Sequence, residues 1–163
     1  MSNKHFELNR TTKTLARIFP ALLMLTPIVV SAATIDQSTS EPQDFSVDAE
    51  YVINRDVTIS SAESTPAVSV SGMNVKKITN EGNIAGTGIG LDINIEGQSV
   101  EINNNENAII SSATDNAVNV QSMAGAINNS GIITGANNGI FVSEESSAIN
   151  ITNTDTGVIT GKN

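Results

Sequence analysis

The chain has 163 residues, a formal net charge of −9, 3% aromatic residues and no cysteine. Its single histidine is His5, so neither a Ser-His-Asp or Cys-His catalytic site nor a histidine-based metal site can form beyond that position. The excess of acidic residues opposes binding to nucleic acid and to anionic lipid, and we expect no nucleic-acid partner.

Residues 1–33 have the pattern of a secretory signal peptide. Basic residues in the first half precede an apolar run from Ala21 to Val30, and Ser31, Ala32 and Ala33 supply small residues at the cleavage positions. The run is too short to span a membrane. We predict cleavage after Ala33, which leaves four basic and sixteen acidic residues, a net charge of 4 − 16 = −12.

Residues 34–50 are polar, contain Pro42 and several serines and threonines, and are predicted to be a linker or N-terminal cap. A repeat follows over residues 51–163. Its four clear copies begin at isoleucines 24, 25 and 24 residues apart, and each isoleucine is followed two residues later by an asparagine. The leading residues are Ile78, Ile102, Ile127 and Ile151, and the asparagines are Asn80, Asn104, Asn129 and Asn153. A fixed period of this length predicts a solenoid, with a degenerate fifth unit near Ile53.

The repeat units are predicted to be strands. Stretches such as Gly90–Ile93, Ala117–Val120 and Gly139–Val142 alternate apolar and other residues with a period of two. Leu91 is the only leucine after the signal, which opposes a leucine-rich repeat, and β-branched residues favour strands.

The predicted fold is therefore an all-β parallel β-helix of about five coils of 24–25 residues. We expect the leading isoleucines to form a column and the asparagines a structural ladder of stacked amides. The predicted interior positions are Ile78, Leu91, Ile93, Val100, Ile102, Val118, Val120, Ile127, Ile140, Val142, Ile149 and Ile151.

The acidic residues offer little sign of catalysis. Carboxylate candidates for a polysaccharide lyase or hydrolase are Asp92, Glu96, Glu101, Glu106, Glu144 and Glu145. They are scattered along the chain, and the glycine-rich calcium repeat is missing. We expect no enzymatic activity, cofactor or metal, and keep a carbohydrate-active β-helix enzyme as the alternative. An ice-binding solenoid would need a regular threonine array, which Thr79, Thr134 and Thr152 do not complete in the copy that begins at Ile102.

The Ile-x-Asn-x-Gly-x-Ile-x-Gly units and Gly-Ile-x-Val strands after a signal peptide resemble the passenger region of type V autotransporters of Gram-negative bacteria. Residues 78–86, 127–135 and 151–161 carry the resemblance best. It implies a right-handed parallel β-helix exported through the inner membrane to the cell surface, outer membrane or medium, with a role in adhesion, biofilm formation or virulence.

The same resemblance implies partners. These are glycans or proteins on host or bacterial surfaces, and an outer-membrane translocator that has no counterpart in this sequence. Because the repeats continue to residue 163 without a polar cap, we expect the chain to be an N-terminal fragment of a longer protein. A truncated, non-functional remnant is the other interpretation.

Overall fold

The computed structural model describes the backbone of residues 31–162 and their side chains except at positions 96, 97 and 123. The described residues form fourteen β-strands and no helix. The strands are β1 (Ala32–Ile35), β2 (Gln43–Phe45), β3 (Glu50–Ile53), β4 (Thr58–Ser61), β5 (Val68–Val70), β6 (Lys77–Asn80), β7 (Asn83–Gly86), β8 (Leu91–Asn104), β9 (Ile109–Ser112), β10 (Val118–Asn129), β11 (Ile132–Thr134), β12 (Ile140–Val142), β13 (Ile149–Asn153) and β14 (Val158–Thr160).

The strands wind into a β-solenoid of about five turns with three faces. The first face contains β1, β3, β6, the C-terminal parts of β8 and β10, and β13. The second contains β4, β7, β9, β11 and β14. The third contains β2, β5, the N-terminal parts of β8 and β10, and β12. Every pairing is parallel, which confirms the predicted fold class.

Equivalent residues of successive coils lie above one another. Ile78, Ile102, Ile127 and Ile151 are direct partners on the first face, so the predicted isoleucine column is confirmed. A second column on the second face contains Ile59, Ile84, Ile110, Ile133 and Ile159. β-branched side chains fit this stacking because they are stiff and pack closely on a pleated surface. The columns meet inside the solenoid and form its core.

Ten of the twelve predicted interior residues are buried or half-buried, and two are not. Val142 is 39% exposed and Ile151 is 43% exposed. Both point along interior columns, but no described strand stacks beyond them, because β12 and β13 each pair only with β10. Ile140 and Ile149 are half-buried for the same reason. Burial in a solenoid therefore depends on the next coil as well as on the residue type.

The repeat register on the N-terminal side differs from the sequence period. Tyr51, not Ile53, is the partner of Ile78, and Ile53 pairs with Asn80. Residues 34–50, predicted to be a linker or cap, contain β2 and the second half of β1 and lie in register with β5 and β3. Phe45 stacks on Tyr51, with ring centroids 4.0 Å apart and planes at 6°. The Tyr51 hydroxyl accepts hydrogen bonds from the backbone N–H groups of Val47 and Asp48.

The predicted signal peptide lies mostly outside the described residues, which begin at Ser31. The predicted cleavage point falls inside a strand. β1 starts at Ala32 and pairs Ala33 with Tyr51, so cleavage after Ala33 would leave Thr34 and Ile35 of this strand in the mature chain.

Candidate functional site

The four asparagines form a continuous hydrogen-bonded series along the solenoid. The Nδ2 of Asn80 donates to the Oδ1 of Asn104 across 2.8 Å. Asn104 donates in the same way to Asn129, and Asn129 to Asn153, each across 2.8 Å. Asn80, Asn104 and Asn129 are almost fully buried. A buried amide requires partners for its polar atoms, and this series supplies them within the fold.

The first three amides also bond to the backbone of the next coil. Asn80 donates to the carbonyl of Ile109, Asn104 to that of Ile132, and Asn129 to that of Val158. The series has a direction, because the Nδ2 of each of these three residues points to the coil that follows. At its N-terminal end the Oδ1 of Asn80 accepts from the N–H of Gly82. The asparagine side chains therefore tie the first face of one coil to the second face of the next.

The corner that follows this series alternates in length. Three residues, 81–83 or 130–132, separate the asparagine from the buried isoleucine of the second face in two coils. Five residues, 105–109 or 154–158, separate them in the other two, and residues 54–58 form the equivalent long corner after Ile53. In two long corners one residue has a positive φ: Asp56 at 66° and Asn107 at 68°.

Glycine is required where a short corner passes over a long one. A Cβ on Gly82 would lie 2.4 Å from the carbonyl oxygen of Val57, and one on Gly131 would lie 2.3 Å from that of Ala108. The short corners therefore lie close against the long corners beneath them. As a result, the outer edge of the solenoid has a notch at residues 81–83, where a short corner lies between two long ones.

The notch at the first short corner is a cavity of about 230 Å³. It is lined by Arg55, Asp56, Glu81, Gly82, Asn83 and Asn107. One guanidinium, two carboxylates and two amides therefore face a single small space. This set combines hydrogen-bond donors and acceptors, with the carboxylates acting as acceptors only. We call this cavity the corner notch.

A second cavity of about 310 Å³ lies on the N-terminal side, between the first two coils. It is lined by Ser40, Glu41, Pro42, Ser61, Ala62, Glu63 and Thr65. It has no cationic group, and its lining combines two carboxylates with hydroxyl groups. Compared with the corner notch, it offers fewer different hydrogen-bonding groups to a ligand.

The described carboxylates among the predicted catalytic candidates do not come together. Asp92 is on the third face, Glu101 is on the first, Glu106 is in a corner, and Glu144 and Glu145 follow β12. None of them lines either cavity described above. The Glu96 side chain lies outside the described set. Within residues 31–162 no group of three or more Asp, Glu, His or Cys side chains has the arrangement of a metal site.

Asp92 is already engaged by side chains of the next coil. Its carboxylate accepts hydrogen bonds from the Nδ2 of Asn119 at 2.7 Å and from the Nε2 of Gln121 at 2.9 Å. Its neighbours in the outward column are Ser69 and Asn119, so no second carboxylate is directly above or below it. These bonds hold the Asp92 carboxylate in a fixed position on the third face.

The outward surface carries further side-chain bonds between coils. Asn128 donates to Asn103 at 2.9 Å, and Asn138 donates to Asn116 at 2.8 Å. On the second face the hydroxyl of Thr160 donates to that of Thr134 at 2.9 Å. These short polar side chains are held in place by their counterparts one coil away. The outer surface is therefore both polar and pre-organised.

The corner notch was missed at the level of sequence. In the sequence, nothing distinguishes Arg55, Asp56 and Glu81 beyond their contribution to the net charge. The sequence signal for the notch is a difference in corner length. The corner from Asn80 to Ile84 is two residues shorter than the corner from Asn104 to Ile110. That alternation predicts notches along the outer edge only when the order in which the coils stack is known.

These features define the molecule as a β-solenoid whose polar amides bond along its axis. No protein-family model matches the chain, and the searches of curated proteins and of solved structures found no significant match. Within residues 31–162 there is no helix of the length and apolar character needed to cross a membrane.

Proposed function

We propose that this chain is an exported β-solenoid of the autotransporter-passenger type, which acts as a rigid spacer and a binding surface and not as a catalyst. The observation that supports this best is the set of polar side chains bonded from coil to coil on the outer faces. Side chains that are already ordered lose little conformational entropy when a partner binds. Such a surface suits contact with another polar surface.

Export is the first part of the proposal, and it rests on residues 1–33. Fusing residues 1–33 to an enzyme that folds only outside the cytoplasm tests it. We expect activity of the fused enzyme in the periplasm, and N-terminal sequencing of the exported full chain should begin at Thr34. A fusion that stays cytoplasmic would contradict export. An N-terminus at Ser31 or Ala32 would move the cleavage site and keep β1 whole.

Binding is the second part, and the corner notch is the proposed contact site. Its two carboxylates and two amides accept hydrogen bonds, and the amides and the guanidinium of Arg55 donate them. That combination suits a neutral, hydroxyl-rich ligand, and we propose surface glycans as that class. The cavity of about 230 Å³ fits one sugar residue at the end of a glycan chain better than a long internal segment.

A glycan panel probed with the full chain and two variants tests this site. Arg55→Ala removes the only guanidinium of the notch, and Lys76→Ala removes a matched cation that bonds Gln98 outside it. We expect Arg55→Ala to weaken glycan binding about tenfold and Lys76→Ala to leave it unchanged. Equal binding by both variants would place the contact elsewhere on the solenoid.

The enzymatic alternative has its own test. Incubation of the full chain with acidic and neutral polysaccharides, followed by measurement of new reducing ends and of unsaturated products, separates a hydrolase or lyase from a binding protein. We expect no product. Product that disappears in Asp92→Asn, with unchanged circular dichroism, would favour the enzyme and overturn the binding role.

A further inference from the structure

The outward residues of the third face combine a fixed carboxylate with an aromatic ring. They form a column in which direct partners on successive strands are Asp44, Ser69, Asp92, Asn119 and Phe141. Parallel strands lie about 4.8 Å apart, so this column is about 19 Å long, and about 10 Å separates the backbones of Asp92 and Phe141. We call it the third-face column.

The aromatic ring of the third-face column faces solvent. Phe141 is 43% exposed, and it is the only described aromatic side chain that is exposed, since Phe45 and Tyr51 are buried. Its outward direction follows from the alternation of side chains along a strand. Ser69 and Asp92 have a coil on either side and are only half-buried, so outward positions of this column keep access to solvent within the stack.

A β-bulge brings another polar side chain to the column. Gln121 is an extra residue between Val120 and Ser122 of β10, and it has no partner on β8. The extra residue of a bulge has its side chain re-aimed, and bulges are common next to functional sites. Here the Nε2 of Gln121 donates to both carboxylate oxygens of Asp92, at 2.9 and 3.1 Å. The bulge therefore helps to hold Asp92 in place.

Asp92 retains acceptor capacity for a ligand. Its Oδ1 accepts from Asn119 at 2.7 Å and from Gln121, whereas its Oδ2 accepts from Gln121. A carboxylate offers about four acceptor positions, so the half-buried Asp92 can accept a further hydrogen bond. Both of its partners are neutral amides, which leave its negative charge in place. Such a group accepts from hydroxyl groups and repels anionic ones.

We propose that the third-face column binds an internal segment of a linear, neutral glycan. This site rests on the glycan-binding role proposed above and adds a second contact to the corner notch. The apolar C–H face of one sugar ring packs on Phe141, and hydroxyl groups of a neighbouring sugar donate to Asp92. Aromatic side chains with a few fixed polar groups are typical of ligand sites. The column is long enough for several linked sugars, whereas the corner notch suits one chain end.

Affinity electrophoresis of the full chain through gels that contain mixed-linkage β-glucan or galactomannan tests this site, because chain ends are rare in both polymers. We expect at least one polymer to retard the chain, and Phe141→Ala to weaken that binding about tenfold. Phe141→Tyr keeps the ring and should retain binding. The control is Ile132→Ala, which shortens a side chain of similar exposure on the second face and should leave retardation unchanged.

Asp92→Asn provides the second variant, because it replaces one acceptor oxygen by a donor. We expect it to weaken binding about fivefold, with an unchanged far-UV circular dichroism spectrum. No retardation by either polymer, or equal retardation of Phe141→Ala and the unsubstituted chain, would overturn the proposal. Retardation that is lost in Arg55→Ala and kept in Phe141→Ala would place the polymer in the corner notch. That result would overturn the third-face site and leave the glycan-binding role standing.

Discussion

The Nδ2 of Asn104 lies 2.8 Å from the Oδ1 of Asn129, although 25 residues of chain separate them. The bond runs along the solenoid axis inside the protein, where water cannot replace it. Asn104 is 1% exposed and Asn129 is 0% exposed. A buried amide that loses its partner keeps the full cost of its desolvation. Substitutions within this series should therefore lower the stability of the protein.

We predict that Asn104→Leu lowers the free energy of unfolding by about 2–3 kcal/mol. An aliphatic side chain fits this column, as Ile53 shows, so the loss arises mainly from the unpaired amide atoms of Asn80 and Asn129. Urea unfolding followed by circular dichroism measures it. The control Asn153→Leu, at an exposed position, should cost less than about 1 kcal/mol. Equal losses for the two variants would mean that the buried hydrogen bonds contribute little.

The central glycine of each short corner should not tolerate a side chain. We expect Gly131→Ala to destabilise the protein by about 2–3 kcal/mol, because its Cβ would lie 2.3 Å from the Ala108 oxygen and 2.4 Å from the Asn105 oxygen. Both neighbours are backbone atoms, which cannot move aside easily. Ser130→Ala is the matched control and should change stability by less than about 0.5 kcal/mol. Thermal unfolding of the two variants measures the difference, and similar midpoints would contradict this account.

We predict that the stability of the N-terminal coils depends on the hydroxyl of Tyr51. Tyr51→Phe keeps the ring that stacks on Phe45 but removes the acceptor for the N–H groups of Val47 and Asp48. We expect a loss of about 1–2 kcal/mol that is confined to the N-terminal coils, since repeats interact mainly with their neighbours. Hydrogen exchange should become faster in residues 43–53 and stay unchanged in residues 140–153. Faster exchange at both ends would instead indicate a global loss of stability.

Ala148 has a positive φ of 49°, a left-handed backbone conformation that is strained for alanine but not for glycine. We therefore expect Ala148→Gly to raise the free energy of unfolding by about 0.5 kcal/mol. Ala85→Gly, in the middle of β7 and without a positive φ, should lower it by about 1 kcal/mol. Denaturant midpoints of the two variants should thus move in opposite directions. A shift in the same direction would show that the Ala148 backbone is not strained.

Much of the fold could be predicted because repetition makes local patterns visible. The recurrence of isoleucine and asparagine predicts the column that starts at Ile78, and β-branched residues at alternate positions predict the strands. The register before Ile78 could not be predicted in this way, because an aromatic residue replaces the isoleucine and the coil is longer. Tyr51 occupies that position and stacks on Phe45 of the preceding strand, a contact across one corner that the period does not reveal.

By itself the sequence determined the fold class and the column that starts at Ile78, since these follow from side-chain type and spacing along one chain. The second-face column of Ile84, Ile110 and Ile133 is equally buried but was not among the predicted interior residues. Only the tertiary structure decided which groups meet across coils. The corner notch joins Arg55, Glu81 and Asn107 because a short corner lies between two long ones. Exposure at Ile151 was decided in the same way, because burial at any position in a solenoid requires the neighbouring coil.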